Sequence, residues 1–377
     1  MRWAWAEVDL GAIRHNVATV AALVAPAEVW AVVKAVGFGH GVVPVTTAAL
    51  AGGATGLCVA LVQEGEELRA AGIDAPILVL SEQPSEQADA LVAASLTPTL
   101  YTVVGIESFA AAVGRAGTGT DAYPVHLKFD TGMHRVGAAP SDAAALIADV
   151  LSRPELRLAG VFTHLAKADS PSAADNELQL RRFDDVLEAV AAAGVSPLVH
   201  AANSAAALAL PAARHDVVRL GIAMYGIEPG PDVSDLCGEL RPALSLHARV
   251  SFVKRVVAGE GISYGLAHRV AAETTIATVP IGYGDGVSRR LFAGGAEVLI
   301  HGQRMPIVGV VTMDSLMVDC GDHDVAIGDE VVLIGGQVGS AGSDAVPAEE
   351  WAARLGTIGY EVVCGISRRI ERRHTEP

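Results

Sequence analysis

Seven polar side chains stand in or just after short apolar runs. Lys34 closes VWAVVK (29–34) and leads into the glycine-rich AVGFGHG, while Lys128 and Asp130 close VHLKFD (125–130). His164 closes LAGVFTH (158–164), Asn203 and Ser204 close LVHAANS (198–204), and Arg219 lies inside VVRLGIAMYG (217–226). A lone lysine at a strand end is ordinarily a solvated charge. Lys34 follows an apolar strand and precedes a flexible turn, a context that favours burial. Desolvation lowers the pKa of an amine, and the neutral nitrogen can then condense with an aldehyde cofactor.

These positions share an origin if the runs are parallel strands. Eight β-branched runs alternate with Ala-rich stretches of helical length over the first 230 or so residues: the five already given, plus TGLCVA (55–60), APILVL (75–80) and LTPTL (96–100). Repeated βα units predict a parallel sheet, and eight of them a closed (β/α)8 TIM-type barrel, whose active site lies at the C-terminal strand ends. Helices are expected over Glu64–Ala71, Asp142–Leu151 and Asn176–Ala193, with Ser141 and Asp175 as caps. The stretch EPGPDVSDLCGEL (228–240) breaks the alternation, which puts a boundary near 235. Residues 1–235 then form the barrel. Residues 236–377, with Val-rich runs cut by glycine, form a mostly antiparallel β-domain with a helix near 347–355 and a last strand around 360–370. The opening AWAEVDL reads as a strand, so residues 1–10 are expected to pair with that second domain.

Composition narrows the partners. The 377 residues carry a net charge of −16, which argues against nucleic acid or an anionic membrane, since phosphate binding needs a basic patch. No stretch is long and apolar enough for a membrane span, and the N-terminus has no signal-peptide core, so a cytoplasmic location and a small-molecule partner are expected. Cys58, Cys237, Cys320 and Cys364 show no CxxC spacing; neither disulfides nor a metal site is indicated, and all four read as small buried residues.

AVVKAVGFGHG (31–41) is similar to the pyridoxal 5′-phosphate (PLP) lysine signature of the alanine racemase family, a group of fold-type III enzymes. The family's later motifs follow in order: VHLKFDTGMHRVG (125–137), GVFTHLAKAD (160–169), HAANSAA (200–206), VVRLGIAMYG, GISYG (261–265), VPIGYGDGVSR (279–289), GVVTMDSLMVD (309–319) and TIGYEVVCGISRR (357–369). The resemblance spans essentially the whole chain.

It implies an isomerase that interconverts L- and D-alanine by two-base proton transfer on a PLP aldimine, with D-alanine supplied to peptidoglycan. Lys34 would hold PLP and act as one base, with Tyr264 as the other. A planar carbanion needs an acid or base on each face. In the family the β-domain residues come from the other subunit, so Tyr264 and Met313, whose N–H would contact the substrate carboxylate, imply a homodimer with shared active sites. His164, with Arg219 beyond it, would supply the surroundings that a phenol needs to serve as a base. Arg219 would face the pyridine nitrogen; an arginine that stays protonated donates a hydrogen bond there but does not give up its proton, which weakens the electron sink. Arg135 would contact the cofactor's phenolic oxygen and the substrate carboxylate. Lys128 matches the lysine carbamylated in many family members. Asn203 belongs with the cofactor-binding set, and Ser204, the backbone N–H groups around Gly221 and Ile222, and Tyr360 would bind the phosphate. Tyr283, with Asp285 and Arg289, would line the substrate entrance, supported by Asp314.

The chain departs from the family at four places. Phe38 replaces a tyrosine that binds the phosphate, a loss of roughly 1.5–3 kcal/mol if nothing compensates. Val36, His134 and Val310 replace an acidic or amide residue, an Asn and an Arg. A broad-specificity or serine-preferring racemase remains the nearest alternative. A fold-type III decarboxylase would have to release the carboxylate that Arg135 and Met313 are expected to hold, and a non-enzymatic PLP carrier would leave GISYG without a purpose.

Overall fold

The computed structural model describes residues 2–117 and 122–376. Strand β1 spans Ala4–Asp9. Eight strands follow: β2 (Glu28–Val32), β3 (Gly56–Val59), β4 (Ile77–Val79), β5 (Thr97–Leu100), β6 (Tyr123–Lys128), β7 (Leu156–Phe162), β8 (Leu198–His200) and β9 (Val217–Leu220). Each lies within or overlaps one of the eight apolar runs. They form one parallel sheet in the order β8-β7-β6-β5-β4-β3-β2-β9. The two ends meet: the Asp216 amide donates to the Val199 carbonyl at 3.0 Å and the Arg219 amide to the Ala202 carbonyl at 3.0 Å. The result is a nearly closed eight-stranded barrel.

Burial on both faces explains why these strands read as continuous apolar runs rather than alternating ones. Every residue of β3, β4 and β9 is buried. Arg219 of β9 is the cation in that set, and its burial demands partners.

The expected helices form over Val62–Ala70, Ala143–Leu151 and Ala174–Ala192. The two expected caps do not cap. Ser141 lies in a short 3-10 turn (Pro140–Asp142), and Asp175 sits inside the first turn of its helix, where it pairs with Lys167 at 2.8 Å. A carboxylate in the first turn still complements the helix dipole, which is why composition alone suits either position.

By backbone contacts the chain divides into two compact units, the barrel over Ile13–Gly37 and Val42–Leu240, and a second unit made of the chain up to Ala12, Phe38–Gly41 and the chain from Arg241 on. The second unit is built on a ten-stranded, mostly antiparallel sheet. Within it β1 lies between strand Leu244–Arg249, antiparallel, and strand Glu371–Thr375, parallel. A helix covers Ala348–Leu355. The strand expected around 360–370 is absent; Gly359–Cys364 is a helix and the last strand comes later, at Glu371–Thr375. Val362 and Val363 are buried there, and that packing outweighs the β-propensity of a Tyr- and Val-rich stretch. Cys58, Cys237 and Cys320 are buried, but Cys364 is exposed. No helix among the described residues is long and apolar enough to cross a membrane.

Candidate active site

Lys34 begins an unusual turn. Ala35, Val36, Gly37, Phe38 and Gly39 all take positive φ, from 49° to 82°. For a residue with a Cβ this conformation costs roughly 1–2 kcal/mol, and Val36 is β-branched as well. Glu64 secures the start of the turn. One of its carboxylate oxygens accepts the Ala35 amide at 2.6 Å and the other accepts the amides of Ala60 and Leu61 at 2.8 and 3.1 Å. Lys34 is half-buried at the end of the first barrel strand.

Around it stands a group of cations. Lys128 is buried, and its ammonium is pushed down to about 8, mainly by desolvation and then by the nearby charges of Arg219, Arg135 and Lys34; Asp130 opposes the shift. The Lys128 Nζ lies 5.5 Å from the centre of the Phe162 ring, and the Arg219 guanidinium 5.1 Å from it. Asp130 organises the loop that carries Arg135. Burial alone would raise its carboxyl, but the amides of His134, Gly132 and Met133 hold it below its ordinary value, all three donating to Oδ1 at 2.9–3.0 Å. Arg135 itself is exposed.

Arg219 is the most enclosed of these charges, at 3% exposure. Its Nη1 lies 2.8 Å from His200 Nδ1; its Nη2 donates to the carbonyls of Thr163 and Ala201 at 2.8 and 3.1 Å and lies 3.1 Å from His164 Nδ1. Burial pushes it down to about 10, which still leaves a cation at neutral pH. Against a permanent donor, both histidine nitrogens must accept. His164 is accordingly held neutral, by desolvation first and then by Arg219, Arg135, Lys128 and Lys34. Cys58 lies in the field of Arg219 and Lys34, yet burial dominates and raises its thiol to about 12, so it stays protonated.

Ser204 is buried, and its Oγ accepts the amides of Gly221 and Ala223 at 2.9 and 3.3 Å. A hydroxyl and two amides therefore meet at one point beside Ile222. Asn203 caps the helix Ser204–Ala209, its Oδ1 accepting the Ala206 amide at 3.0 Å.

In the second unit, Tyr264 stands at the tip of a small hairpin and is 74% exposed. Ser263, at φ 61°, anchors the tip by donating to the Val310 carbonyl at 2.7 Å. Tyr283, Met313 and Asp314 are brought together. The Tyr283 amide donates to the Thr312 carbonyl and the Gly284 amide to the Met313 carbonyl, each at 2.9 Å. Gly282 makes that approach feasible, because a Cβ there would overlap the Thr312 carbonyl. Asp314 is bonded to Arg369 at 2.6 Å. Asp285, expected at the substrate entrance, is instead fully buried in a two-pronged ion pair with Arg2 at 2.5–2.6 Å. Tyr360 sits on the helix Gly359–Cys364 with its ring 6.2 Å from that of Phe38.

Sequence reasoning left out Glu64, His126 and the buried Gln179, whose amide ties together Thr131, the His164 carbonyl and the Ala166 amide. Nothing in their residue types marks them; only their burial and bonding do.

Comparison with known proteins agrees in both units. Residues 8–229 match the family described as "Alanine racemase, N-terminal domain", and residues 243–374 match "Alanine racemase, C-terminal domain". An alanine racemase of Symbiobacterium thermophilum is 46% identical over 99% of this chain and 97% of its own length. The structure of alanine racemase from Bacillus anthracis with bound L-Ala-P is 39% identical, with a TM-score of 0.90 over 100% of this chain and 96% of that one. That from Bartonella henselae, with covalently bound pyridoxal phosphate, is 28% identical, with a TM-score of 0.88 over the full length of both chains.

Proposed function

The chain belongs to the alanine racemase family, and from that premise we propose how its own residues interconvert L- and D-alanine with PLP. The observation that carries the reading is the gathering of Lys34, Lys128, Arg135 and Arg219 around a protonation-neutral His164. So much positive charge, partly desolvated, calls for an anion. A phosphate-bearing phenolic aldehyde fits that donor set. Its phosphate suits the point where Ser204 Oγ and the amides near Gly221 and Ile222 meet, with Asn203 fixing the Ser204 helix.

When bound, PLP supplies an aldehyde to hold the substrate amine and a ring that draws electrons from the α-carbon. Lys34 holds the cofactor and moves a proton at the α-carbon on one face. Tyr264 moves it on the other. Arg219, charged at neutral pH and held by partners at Nη1 and Nη2, would have its Nε–H left to offer the ring nitrogen a hydrogen bond without surrendering a proton. Arg135 and the Met313 N–H hold the carboxylate. Lys128, with its depressed pKa, has a neutral fraction able to take up CO2, and the resulting carbamate anion would orient Arg135. Tyr283 and Asp314 border the entrance. Phe38 offers no phenol to the phosphate.

Tyr264 and Met313 are too exposed to be organised for chemistry where they stand, which supports a homodimer in which a partner covers them. The D-alanine produced would serve peptidoglycan synthesis in the cytoplasm.

The test is racemisation of L-alanine beside L-serine by purified protein with PLP, together with Lys34→Ala and Tyr264→Phe. Fast alanine turnover lost in both variants is expected. Turnover of serine in preference to alanine would make it a serine racemase, and turnover of neither would overturn the reading.

A further inference from the structure

A file of three side chains runs through the barrel interior from Arg219. Arg219 Nη1 meets His200 Nδ1 at 2.8 Å, and His200 Nε2 meets His126 Nδ1 at 3.0 Å. His126 in turn lines a cavity of about 330 Å³ among Trp30, Thr97, Pro124 and Arg157, at the N-terminal ends of the strands. We propose that His126 is a positioning residue for the reaction: it fixes the tautomer of His200, and thereby the orientation in which Arg219 meets the cofactor ring.

The argument is one of donors and acceptors. A guanidinium has only hydrogens to offer, so His200 Nδ1 accepts. In a neutral imidazole the hydrogen then resides on Nε2, and His200 donates to His126. His126 Nδ1 must accept, so its own hydrogen is on Nε2. Every hydrogen bond in the file therefore points away from Arg219, and none uses the Arg219 Nε–H. A proton added to His200 would set an N–H against the guanidinium.

The surroundings keep the file neutral and buried. Phe162 stacks on His200 at 4.5 Å and 10°, and the Trp30 ring lies 5.6 Å from His126. Desolvation, then Arg157 and Arg219, push His126 down to about 3; desolvation, Arg219, His126 and His215 likewise hold His200 far below its ordinary value. The sequence makes room for the ring. Gly160 is the register partner of His126 on β7, and a Cβ at 160 would run into the imidazole.

The proposal rests on the racemase reading for its effect on rate, but not for the tautomers, so the two can fail separately. The experiment is nitrogen NMR of holoenzyme labelled with 15N-histidine, followed by kinetics of three variants. Both His200 and His126 are expected to be neutral with the hydrogen on Nε2. An Nδ1-protonated or cationic His200 overturns the proposal without any variant being made. His126→Leu and Gly160→Ala should each lower kcat roughly tenfold with KM for alanine little changed, and alter the absorbance of bound PLP. His126→Asn, whose Oδ1 can accept where Nδ1 did, should recover most of that loss. Equal losses in the Asn and Leu variants, or none in Leu, overturn the positioning role. Correct tautomers without alanine turnover would sink the racemase reading and leave the file intact.

Discussion

Arg219 is 3% exposed and gives its hydrogens to two carbonyls and two histidines, whereas Tyr264 stands 74% exposed on a hairpin tip. The barrel cluster is preorganised: Lys128, His164 and Arg219 are desolvated, burial and then their neighbours set their protonation, and even the loop after Lys34 is held by a carboxylate. The β-unit cluster is rigid in backbone but open in side chain. A group whose task is to present a fixed charge can be finished within one fold. A group that must close over a small substrate has to stay accessible until another surface meets it.

The sharpest test of this contrast mixes variants. Lys34→Ala and Tyr264→Ala should each lose 10²–10⁴-fold or more in rate as pure proteins. If each Tyr264 serves the partner's Lys34, then unfolding and refolding the two together should restore up to about a quarter of wild-type activity, because half the dimers are mixed and each has one intact site. No recovery from a refolded, PLP-bound mixture would break the comparison.

Next in size is the β-unit's own buried charge. Arg2→Ala leaves the buried Asp285 carboxylate with only Arg369 and the Gly282 amide and should cost about 1–3 kcal/mol in urea unfolding. Burial alone would raise the Asp285 carboxyl, but Arg2, the Gly282 amide and Arg369 hold it below its ordinary value. The stabilisation is therefore present above the unfolded pKa of about 4 and is lost as the pH falls through the lower folded one. In Asp285→Asn that acid-sensitive component should vanish.

Lys128 gives the opposite sign. Its folded pKa of about 8 lies below the ordinary 10.5, so the cofactor-free folded protein binds fewer protons than the unfolded chain between those values. Stability should rise with pH across that window. Lys128→Met should flatten the slope, and an unchanged slope would mean that the cation cluster is better solvated than described.

The smallest effect concerns the turn. Val36→Gly relieves a positive φ at some cost in unfolded-state entropy, for a net gain of about 0.5–1 kcal/mol.

The barrel was legible because its strands are buried on both faces: runs such as APILVL carry no polar interruption, and their ends deliver Lys34, Lys128 and His164 to one region. The helix Gly359–Cys364 was not, because a six-residue stretch with Tyr and two Val satisfies either period and only the burial of Val362 and Val363 decides. Asp285 was misread for a related reason. Its partner Arg2 lies 283 residues away, and no local pattern shows a long-range ion pair. His200 was in plain view within HAANSAA, but its link to His126 joins β6 to β8 across the intervening β7, a meeting that exists only in the folded barrel.

Phe38–Gly41 lies in the barrel's first loop by sequence but packs with the second unit. The Gly39 carbonyl accepts Arg372 at 2.9 Å, and the His40 carbonyl lies 2.8 Å from His374 Nε2. The two units are therefore not separable cassettes. A gene cut near codon 240 would yield a barrel whose left-handed turn has lost its far anchor and a β-fragment that lacks both β1 and Phe38–Gly41. Swapping β-domains between relatives should accordingly succeed only when β1 and these four residues travel with the domain they pack against.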